Sequence, residues 1–583
     1  MNSETRACQN CKEDFTIEAD DFNFYAKLKV PPPTWCSHCR FIRKISFINE
    51  RALYKRKCDW CQENTFSTYH SENKFPVYCV KCHIGDSWDA RDYGRDYDFS
   101  RNFFEQFLEL KKAVPHRALE QNERNSGNCE YANFCFSSKD VYLAFNTTSS
   151  ENIKYTRYAF HHNKDCMDSL LFKECEKCYE LVQCWESYGS SFLVESDQCV
   201  DSRFLFDCSN CVNCFMSSNL RNKSYVFRNR QLAREEYLRE IEKMSLGTCS
   251  GQQRSKEEFK KLVQNSIHKF AQIKNCVNAV GDFIENSKDV YRCFGMLDGE
   301  NCKNVFLGVG TIKDCQDVIF VGKMENLYEF ALGGRQGSNL VLSINCGGGC
   351  HNMFYCDSCR GSSDCFGCYG ILSKKQYCIL NKQYTKEEYE KLVPKIIAQM
   401  NKNVYKDKAG RSYPFGEFFP TELSPFAYNE TIAYEEEPLS KDEILKQGYA
   451  WREPEIKKYA STIKSNDLPD DIKEVRDSVC DEVIECPNLG DTKTQCASAY
   501  RILPDELAFY RQMNLPIPRY CPNCRYHERL VWKNPFRFYE RECMCELKNH
   551  NHKEKCQNKF ETMYAPTRPE IIYCKECYQK EVY

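Results

Sequence analysis

The middle of the chain carries a short polar and apolar pattern that recurs from about residue 129. Each occurrence has a polar residue, often Asn or Asp, then an apolar residue and often an aromatic one, as in KDVYLAF, KDCMDSLLF, KDVYRCF and SDCFGCY. Successive occurrences are mostly 12 or 13 residues apart. The pattern predicts stacked parallel strands, with two steps of about 25 residues forming one coil of a parallel β-helix. Asx residues suit its corners because their side chains hydrogen-bond the local backbone.

A longer segment inside this middle region is present twice. YVFRNRQLAREEYLREI, from Tyr225, aligns with YCILNKQYTKEEYEKLV, from Tyr377, at an offset of 152 residues. Each copy is predicted to leave a last strand and enter a helix. The helix starts are predicted from two capping boxes, Thr385 with Glu388 and Ser255 with Glu258. The centre is therefore expected to be two β-solenoid units, each followed by helices.

The two ends of the chain also repeat one another. CKEDFTIEADDFNFYAKLKVPPPTWCSHCR, residues 11–40, corresponds to CASAYRILPDELAFYRQMNLPIPRYCPNCR, residues 496–525, at an offset of 485 residues. The offset becomes 495 from Cys61 and Cys556 onward, so the second copy contains a ten-residue insertion. We call residues 1–100 the N-terminal module and residues 481–583 the C-terminal module.

Cysteine pairs in both modules have the spacing that tetrahedral zinc requires. Two pairs, each close in sequence, form two turns whose thiolates converge on one ion. In the second copy Cys8 maps to Lys493, so Cys486 is predicted to replace it across the loop PNLGDTKTQ. The four predicted zinc sets are Cys8, Cys11, Cys36 and Cys39; Cys58, Cys61, Cys79 and Cys82; Cys486, Cys496, Cys521 and Cys524; and Cys543, Cys556, Cys574 and Cys577.

The fourth set leaves one ligand open. The register assigns Cys543 as the partner of Cys58, whereas Cys545, His550 and His552 lie in the insertion as alternative ligands. With any of these choices, the chain is expected to bind about four Zn²⁺ ions, one per set.

These motifs also resemble a known family. CxxCxxxF…FY…P…CxxCRxxRK, from Cys8 to Lys44, resembles the zinc-ribbon, treble-clef-like domain of many bacterial proteins of undetermined role. FETMYAPTRPEIIYCKECYQKEV, residues 560–582, is similar to uncharacterised bacterial multi-zinc-ribbon proteins, as is GEFFPTELSPFAYNE, residues 416–430. The resemblance implies a fold and a metal, and no established activity.

Composition places limits on the class of protein. The chain has 583 residues, a formal net charge of −2 and 40 cysteines. Dense cysteine in a large chain indicates metal more often than disulfides. The N-terminus has no apolar signal region, and no run of about 18 apolar residues occurs. We therefore expect a soluble cytoplasmic protein that does not bind a membrane.

The expected fold class is mainly β with α, in which tandem zinc ribbons at both termini flank a parallel β-helix-like solenoid interrupted by helices. The expected domains are a zinc-ribbon pair at 1–100, a helical connector at 101–128, solenoid units at 129–275 and 276–405, a connector arm at 406–480, and a second zinc-ribbon pair at 481–583.

The connector arm is predicted to contain both packed segments and a mobile linker. Its aromatic segment, residues 416–430, is expected to pack against another surface, since exposed aromatic rings are costly. SKDEILKQ has a capping box at Ser440 and Glu443 and should start a short helix. Residues 462–478 are expected to be a mobile linker. The arm is long enough to bring the two terminal modules together, which we favour over modules at opposite ends.

The cysteines of the middle region allow three interpretations. Cys208, Cys211 and Cys214 partly match an iron–sulfur motif, and further CxxC pairs lie nearby. The alternatives are buried packing in an inner column, additional metal, or redox chemistry. Packing is favoured, because neighbouring steps carry Val, Leu or Met at the same position. The further pairs are Cys175 with Cys178, Cys356 with Cys359, and Cys365 with Cys368.

Function is predicted to be binding rather than catalysis. Motifs such as HExxH and GxSxG do not occur, and fully cysteine-ligated zinc lacks the open position that activates water. A β-helix enzyme of unknown substrate stays the weakest alternative. In the favoured hypothesis the ribbons stabilise a scaffold and dock an unspecified protein partner.

The second binding hypothesis is nucleic acid or ribonucleoprotein. The segment from residue 40 to 57 is basic with interleaved aromatics, and the second copy echoes it. Basic side chains neutralise phosphates, and aromatic rings stack on bases. The residues predicted to make these contacts are Arg40, Arg43, Lys44, Arg525 and Arg529.

Overall fold

The computed structural model describes the chain except at residues 1, 122–125, 130, 161, 174–175, 177–178, 181, 309–311, 314, 316–318, 322–323, 326–327, 332–336, 456–457 and 551. The described part is a mixed α/β structure with 12 α-helices. None of the described helices is both long enough and apolar enough to cross a lipid bilayer.

The N-terminal module contains two small hairpins, and further along the chain from each hairpin a helix begins directly after a cysteine. A longer helix and a short strand then lead to the centre. These elements are β1 Glu4–Ala7, β2 Asp14–Ile17, α1 Ala19–Lys27, α2 Ser37–Ile45, β3 Tyr54–Lys57, β4 Asn64–Ser67, β5 Val77–Tyr78, α3 Val80–Ile84, α4 Phe103–Ala113 and β6 His116–Arg117.

The first half of the centre is a stack of short strands, β7 to β19, which we call the first ladder. Two helices and one strand follow it. The elements are β7 Asn133–Phe136, β8 Lys139–Tyr142, β9 Phe145–Thr148, β10 Glu151–Lys154, β11 Arg157–Phe160, β12 Lys164–Met167, β13 Leu170–Lys173, β14 Val182–Trp185, β15 Ser191–Val194, β16 Arg203–Phe206, β17 Phe215–Ser218, β18 Val226–Phe227, β19 Arg230–Gln231, α5 Arg234–Lys243, α6 Cys249–Asn265 and β20 Ile267–Lys269.

The second half of the centre, β21 to β32, is the second ladder, and one long helix follows it. The elements are β21 Ile273–Lys274, β22 Val277–Glu285, β23 Lys288–Leu297, β24 Phe306–Gly308, β25 Ile312–Lys313, β26 Ile319–Val321, β27 Met324–Glu325, β28 Gly337–Val341, β29 Cys350–Phe354, β30 Ser363–Phe366, β31 Gln376–Ile379, β32 Lys382–Gln383 and α7 Lys386–Lys402.

The connector arm and the C-terminal module complete the chain. Their elements are β33 Tyr405–Lys406, β34 Ser412–Tyr413, α8 Ile432–Glu436, α9 Lys441–Lys446, β35 Ile463–Lys464, β36 Ile484–Glu485, β37 Ala499–Tyr500, α10 Pro504–Gln512, α11 Pro522–Leu530, β38 Tyr539–Glu542, β39 Lys559–Thr562, β40 Ile571–Tyr573 and α12 Lys575–Val582.

Strands in the ladders pair in parallel at a much shorter interval than the predicted coil. Asn133 pairs with Phe145, and Phe145 pairs with Arg157, so β7, β9 and β11 follow one another every 12 residues. The strands between them, β8, β10 and β12, form a second parallel sheet. One turn of the ladder therefore takes 12 or 13 residues, and the expectation of about 25 residues per coil is wrong.

Asx residues hold the corners of the ladders. Asn128, Asp140, Asn152 and Asp165 all have φ between 53 and 54°, in the left-handed region that Asn and Asp tolerate. Their side chains also bond from one turn to the next. Asn128 Nδ2 donates to Asp140 Oδ1 at 2.7 Å, and Asn152 Nδ2 donates to Asp165 Oδ1 at 2.7 Å. Short turns thus close without glycine at these positions.

Both ladders end as the duplicated segment predicts. An antiparallel pair, β18 with β19 and β31 with β32, closes each ladder, and α5 and α7 follow. Thr385 and Glu388 form the predicted capping box. The predicted box at Ser255 is wrong. That residue lies inside α6, which begins after Thr248, and its Oγ donates to the Gly251 carbonyl instead.

The connector arm packs against the rest of the chain along most of its length. Phe418, Phe419 and Tyr428 are buried, as predicted for the aromatic segment. Ser440 caps α9 with Glu443. The expected mobile linker at 462–478 is instead folded, because its Leu468, Ile472 and Val475 side chains are buried. The segment contacts α10, and Asp470 accepts from the backbone N–H groups of Cys249 and Ser250 at the start of α6.

The two terminal modules contact each other directly. The Arg51 guanidinium lies 3.2 Å from the centre of the Tyr526 ring, and its Nη2 donates to Asn523 Oδ1 at 3.2 Å. The rings of Phe41 and Phe536 are 4.7 Å apart. The structure thus brings the two copies together rather than placing them at opposite ends of the ladders.

Candidate metal centres

The cysteines of the terminal modules converge into four groups. In each group the four sulfur atoms lie within 4.8 Å of one another, which is a separation that one metal ion can bridge. The groups are Cys8, Cys11, Cys36 and Cys39; Cys58, Cys61, Cys79 and Cys82; Cys486, Cys496, Cys521 and Cys524; and Cys543, Cys556, Cys574 and Cys577. We number these clusters 1 to 4 in that order.

Each cluster joins a turn to the start of a helix. In cluster 1, Cys8 and Cys11 lie in the turn between β1 and β2, whereas Cys36 is the N-cap of α2 and Cys39 is in its first turn. Cys521 and Cys574 are likewise the N-caps of α11 and α12. A helix N-terminus favours negative charge, so this placement stabilises thiolates.

One hydrogen bond recurs in all four clusters. The first cysteine sulfur accepts from the backbone N–H of the third cysteine, at 3.2 Å for Cys8, 3.2 Å for Cys58, 3.4 Å for Cys486 and 3.2 Å for Cys543. Cys486 therefore occupies the position of Cys8 despite its displacement in sequence. The same bond gives Cys543 the position of Cys58.

The sulfur spacing fits a tetrahedral ion. The second and third cysteine sulfurs are 3.8 Å apart in cluster 1, 4.0 Å in cluster 2, 3.9 Å in cluster 3 and 4.0 Å in cluster 4. A tetrahedral Zn²⁺ with Zn–S bonds of about 2.3 Å needs an edge of about 3.8 Å. The four clusters therefore have the size of a Cys₄ zinc site.

In each cluster the four thiols are so close that ionisation of one opposes ionisation of the next. Hydrogen bonds from the Cys486 and Cys524 thiols lower the pKa of Cys521 to about 2. The Cys521 thiolate in turn raises the pKa of the Cys486 thiol to about 12. One thiolate thus forms easily while the next is opposed by it, and a divalent cation is what allows all four to ionise.

The clusters differ in exposure. Clusters 3 and 4 consist of buried residues, whereas Cys11 in cluster 1 and Cys61 in cluster 2 are exposed. A metal ion held by all four thiolates of a cluster would have no vacant position for substrate or water. Because Cys11 and Cys61 are exposed, the two N-terminal clusters are the more accessible to chelators.

The alternative ligands of the fourth set form a group of their own. Cys543 completes cluster 4, while Cys545, His550 and His552 converge with Cys577 in a further group within 4.8 Å. Cys545 followed by the histidine pair HNH in one short insertion is the sequence signal for additional metal ligands, although it does not reveal that Cys577 joins them.

The five basic residues predicted to contact nucleic acid are buried instead. Arg40, Arg43, Lys44, Arg525 and Arg529 are each at most 3% exposed. They lie on one face of α2 and α11, the face that packs onto the ladders. Because their charges are enclosed by protein, they do not present a surface to phosphate, and this interpretation of their role is corrected.

The partners of these cations are acidic residues that were not predicted from the sequence. Arg43 Nη2 lies 2.8 Å from Glu329 Oε2, and Arg40 lies 3.8 Å from the same carboxylate. In the other module, Arg525 and Arg529 lie 3.1 and 3.0 Å from Asp168. Each terminal module is thus anchored to a ladder by buried ion pairs.

Both acids occupy the same place in the repeated pattern. Asp168 ends KDCMD, residues 164–168, and Glu329 ends ENLYE, residues 325–329. Both have φ near 50°, at 52 and 49° respectively. An acidic residue at this position of the pattern was the sequence signal for a buried ion pair. The sequence alone does not identify the cation with which the acid pairs.

The cysteines of the ladders pack in the inner column. Cys199, Cys208, Cys211 and Cys214 are fully buried in one apolar cluster with residues such as Leu205. Their thiols donate to backbone carbonyls, as Cys208 Sγ does to Phe206 O at 3.3 Å. Within the described part of the ladders, thiols do not converge into a metal-sized group. Cys175 and Cys178 lie outside the described residues.

No family model, curated protein or solved structure matches this chain. The resemblance of the terminal modules to zinc ribbons therefore depends on their residues and geometry alone.

Proposed function

We propose that this chain is a non-catalytic, zinc-stabilised scaffold for protein interaction. In this proposal the terminal modules are tandem zinc ribbons with one Zn²⁺ in each of clusters 1 to 4. The centre is a parallel β-solenoid built from the recurring 12-residue or 13-residue step. The parallel register of β7, β9 and β11 supports the solenoid, and the recurring N–H···S bond supports the ribbons.

The observation that carries the proposal is the burial of the basic helix faces. Arg43 and Arg525 form buried ion pairs with Glu329 and Asp168, respectively. A module that used these side chains to bind phosphate would keep them in solvent. Modules anchored in this way act as fixed parts of a single body, which is what a scaffold requires.

Closed coordination supports a structural role for the metal. Structural zinc sites with four protein ligands contribute their binding free energy to folding. We therefore propose that zinc holds the module helices α2 and α11 in the shape that fits the ladders. Thiol clusters of this kind persist in reducing compartments, and we accordingly propose a cytoplasmic location.

A cleft between the two modules supports a docking role. Its volume is about 370 Å³, and its lining includes Tyr54, Trp451, Arg452, Lys493 and Tyr526. Aromatic and arginine side chains are enriched where proteins bind one another. We propose that a segment of a partner protein occupies this cleft, where the two modules and the connector arm meet.

Chelation combined with hydrogen exchange tests the structural role. Removing metal with a strong chelator should abolish amide protection in α2 and α11 while β15, β16 and β17 stay protected. The reagent's inactive, metal-saturated form is the control. Unchanged protection of both helices after complete removal of metal would contradict the proposal.

A titration with labelled nucleic acid distinguishes the two binding hypotheses. The scaffold proposal predicts no binding of single-stranded or double-stranded probes at low salt. Tight binding with a steep salt dependence would favour the nucleic-acid alternative. For the cleft, Trp451→Ala should abolish binding of any purified partner, whereas Leu238→Ala, at an exposed site on α5 outside the cleft, should not.

A further inference from the structure

The insertion in the C-terminal module contains a second constellation of metal-binding atoms. One ligand atom from each of Cys545, His550, His552 and Cys577 lies within 4.8 Å of the other three. Cys545 is fully buried and His550 is nearly so. Two separate hydrogen-bonded pairs would have no reason to bring all four atoms to one point, whereas a shared ligand would.

Each histidine presents one ring nitrogen to the cysteines. His550 Nδ1 lies 3.2 Å from Cys545 Sγ, and His552 Nε2 lies 3.3 Å from Cys577 Sγ. The other nitrogen of each ring faces an oxygen atom. His550 Nε2 lies 3.4 Å from the Glu581 carboxylate, and His552 Nδ1 donates to the Glu554 carbonyl at 2.5 Å.

That arrangement is typical of histidines that bind metal. A ligating imidazole commonly uses its second nitrogen to donate to a carboxylate or a backbone carbonyl, which fixes its tautomer and orientation. Here His552 has such an acceptor in the insertion itself, whereas His550 Nε2 is buried without a hydrogen bond and has the Glu581 carboxylate of α12 within 3.4 Å. The insertion therefore supplies three of the four ligands, Cys545, His550 and His552, and also the carbonyl that supports His552.

We propose that Cys545, His550, His552 and Cys577 form a fifth metal site that shares the Cys577 thiolate with cluster 4. Two thiolates and two imidazoles favour Zn²⁺ among the common divalent ions. The sharing rests on the proposed occupancy of cluster 4. It gives a pair of zinc ions joined by one sulfur, with Cys543, Cys556 and Cys574 on one ion and Cys545, His550 and His552 on the other.

Charge gives a physical reason for the second ion. Cluster 4 with one Zn²⁺ and four thiolates carries excess negative charge in a set of buried residues. A second divalent ion that adds one thiolate and two neutral imidazoles brings the net charge closer to neutrality, which lowers the cost of burial. Cluster 2, the equivalent cluster in the other module, has no such insertion, so the fifth site is particular to the C-terminal module.

Native mass spectrometry of the full chain, after dialysis against a weak chelator, tests the proposal by counting zinc. The wild-type chain should hold five ions, and the His550→Gln/His552→Gln variant should hold four. Cys543→Ser, which alters cluster 4 alone, should also hold four. Cys577→Ser, which removes the shared thiolate, should hold three. His351→Gln, at an exposed histidine on β29, is the matched control and should hold five.

Two results would overturn the fifth site. A count of four in both the wild type and the histidine variant would mean that the histidines only hydrogen-bond to the thiols. A count of four that drops to three in the histidine variant would mean that the histidines belong to cluster 4. A wild-type count below four is a different failure, since it would contradict the zinc-stabilised scaffold itself.

Cobalt substitution gives a second readout that does not depend on counting. Co²⁺ in a site with two sulfurs and two nitrogens absorbs at shorter wavelengths and with weaker thiolate charge transfer than Co²⁺ in a Cys₄ site. The histidine variant should therefore lose only the component with mixed ligands. An unchanged Co²⁺ spectrum in that variant would contradict the proposal even if the variant folds poorly.

Discussion

Arg43 donates from Nη2 to both carboxylate oxygens of Glu329, at 2.9 and 2.8 Å, with both side chains fully buried. The two residues are 286 positions apart in sequence. Their pairing fixes a helix of the N-terminal module onto the second ladder. Asp168 with Arg525 does the same for the C-terminal module and the first ladder.

Breaking this buried pair should be costly. We expect Arg43→Ala to lower the free energy of unfolding by about 3 to 5 kcal/mol, because it removes the hydrogen-bonded partner of the buried Glu329 carboxylate and leaves it only the more distant Arg40 at 3.8 Å. Denaturant unfolding of the purified chain measures this. Arg91→Ala, which removes a partly exposed pair with Asp89, is the control and should cost less than about 1 kcal/mol. Equal costs for the two variants would contradict the anchoring role.

Loss of metal should follow the exposure of the clusters. A chromogenic chelator should remove zinc from clusters 1 and 2 first, because Cys11 and Cys61 are exposed, and from the buried clusters 3 and 4 more slowly. Stopped-flow absorbance should resolve at least two phases. Cys11→Ser and Cys61→Ser should reduce the fast phase, whereas a single uniform phase would show that exposure does not control release.

Cysteines of the modules and of the ladders should respond differently to substitution. Cys521→Ser should unfold its module, because it removes a ligand from a site worth on the order of 10 kcal/mol in small zinc modules. Cys36→Ser should do the same in the other module. Cys302→Ala and Cys315→Ala should cost about 1 to 2 kcal/mol, since both side chains are buried in the inner column. Loss of zinc in the ladder variants and not in the module variants would reverse the assignment.

Stability should fall as pH rises through the neutral range. Burial raises the pKa of Glu195 to about 8. The Gln272 side-chain amide and the Tyr564 hydroxyl donate hydrogen bonds to this carboxyl group. A carboxyl whose pKa rises on folding stabilises the fold below its ordinary value of 4.5, and the contribution is lost as pH approaches 8. Asp282, with a pKa raised by burial to about 6, acts in the same direction.

The corresponding variant is Glu195→Gln, which mimics the protonated carboxyl. It should remove most of the decline in unfolding free energy between about pH 4.5 and about pH 8, where each unit of pKa shift corresponds to about 1.4 kcal/mol. Urea titrations across that range measure the slope. Glu387→Gln, at an exposed position on α7, should leave the slope unchanged. An unchanged slope in Glu195→Gln would contradict this account of the carboxyl.

The Asx corners make a prediction that separates backbone from side chain. Asn152 has a φ of 53° and donates to Asp165. Asn152→Gly should cost about 1 kcal/mol for the lost bond, whereas Asn152→Val should cost more, since a β-branched residue is strained in the left-handed region. Thermal unfolding of the two variants measures the difference. A valine variant as stable as the glycine variant would contradict the corner role.

The four clusters could be predicted because their ligands are local in sequence. Cysteine pairs and a copied register are enough to assign Cys486 across a displaced loop, but they leave Cys543 with Cys545, His550 and His552 as alternative ligands in the fourth set. The number of residues in one turn of the ladder could not be predicted from the sequence. A step of 12 or 13 residues is compatible with one turn or with half of a turn, and only the pairing of Asn133 with Phe145 decides between them.

The role of the basic residues could not be predicted from sequence. Arg43 and Lys44 lie in a stretch whose charges suggest a phosphate-binding surface, and their burial depends on Glu329 in a distant ladder. Charge patterns indicate the sign of a partner and not its identity. The histidine group was visible in sequence only as a choice of ligands for one ion, because spacing alone does not reveal that Cys577 lies between two groups.

The zinc content of the folded chain tests the central claim most directly. Clusters 1 to 4 should each hold one ion, and the histidine group should hold a fifth. Elemental analysis of purified, iron-free protein, checked by native mass spectrometry, should therefore give five zinc ions per chain, and four in His550→Gln/His552→Gln. A count below four in the wild-type chain would contradict the claim that zinc holds both terminal modules in place.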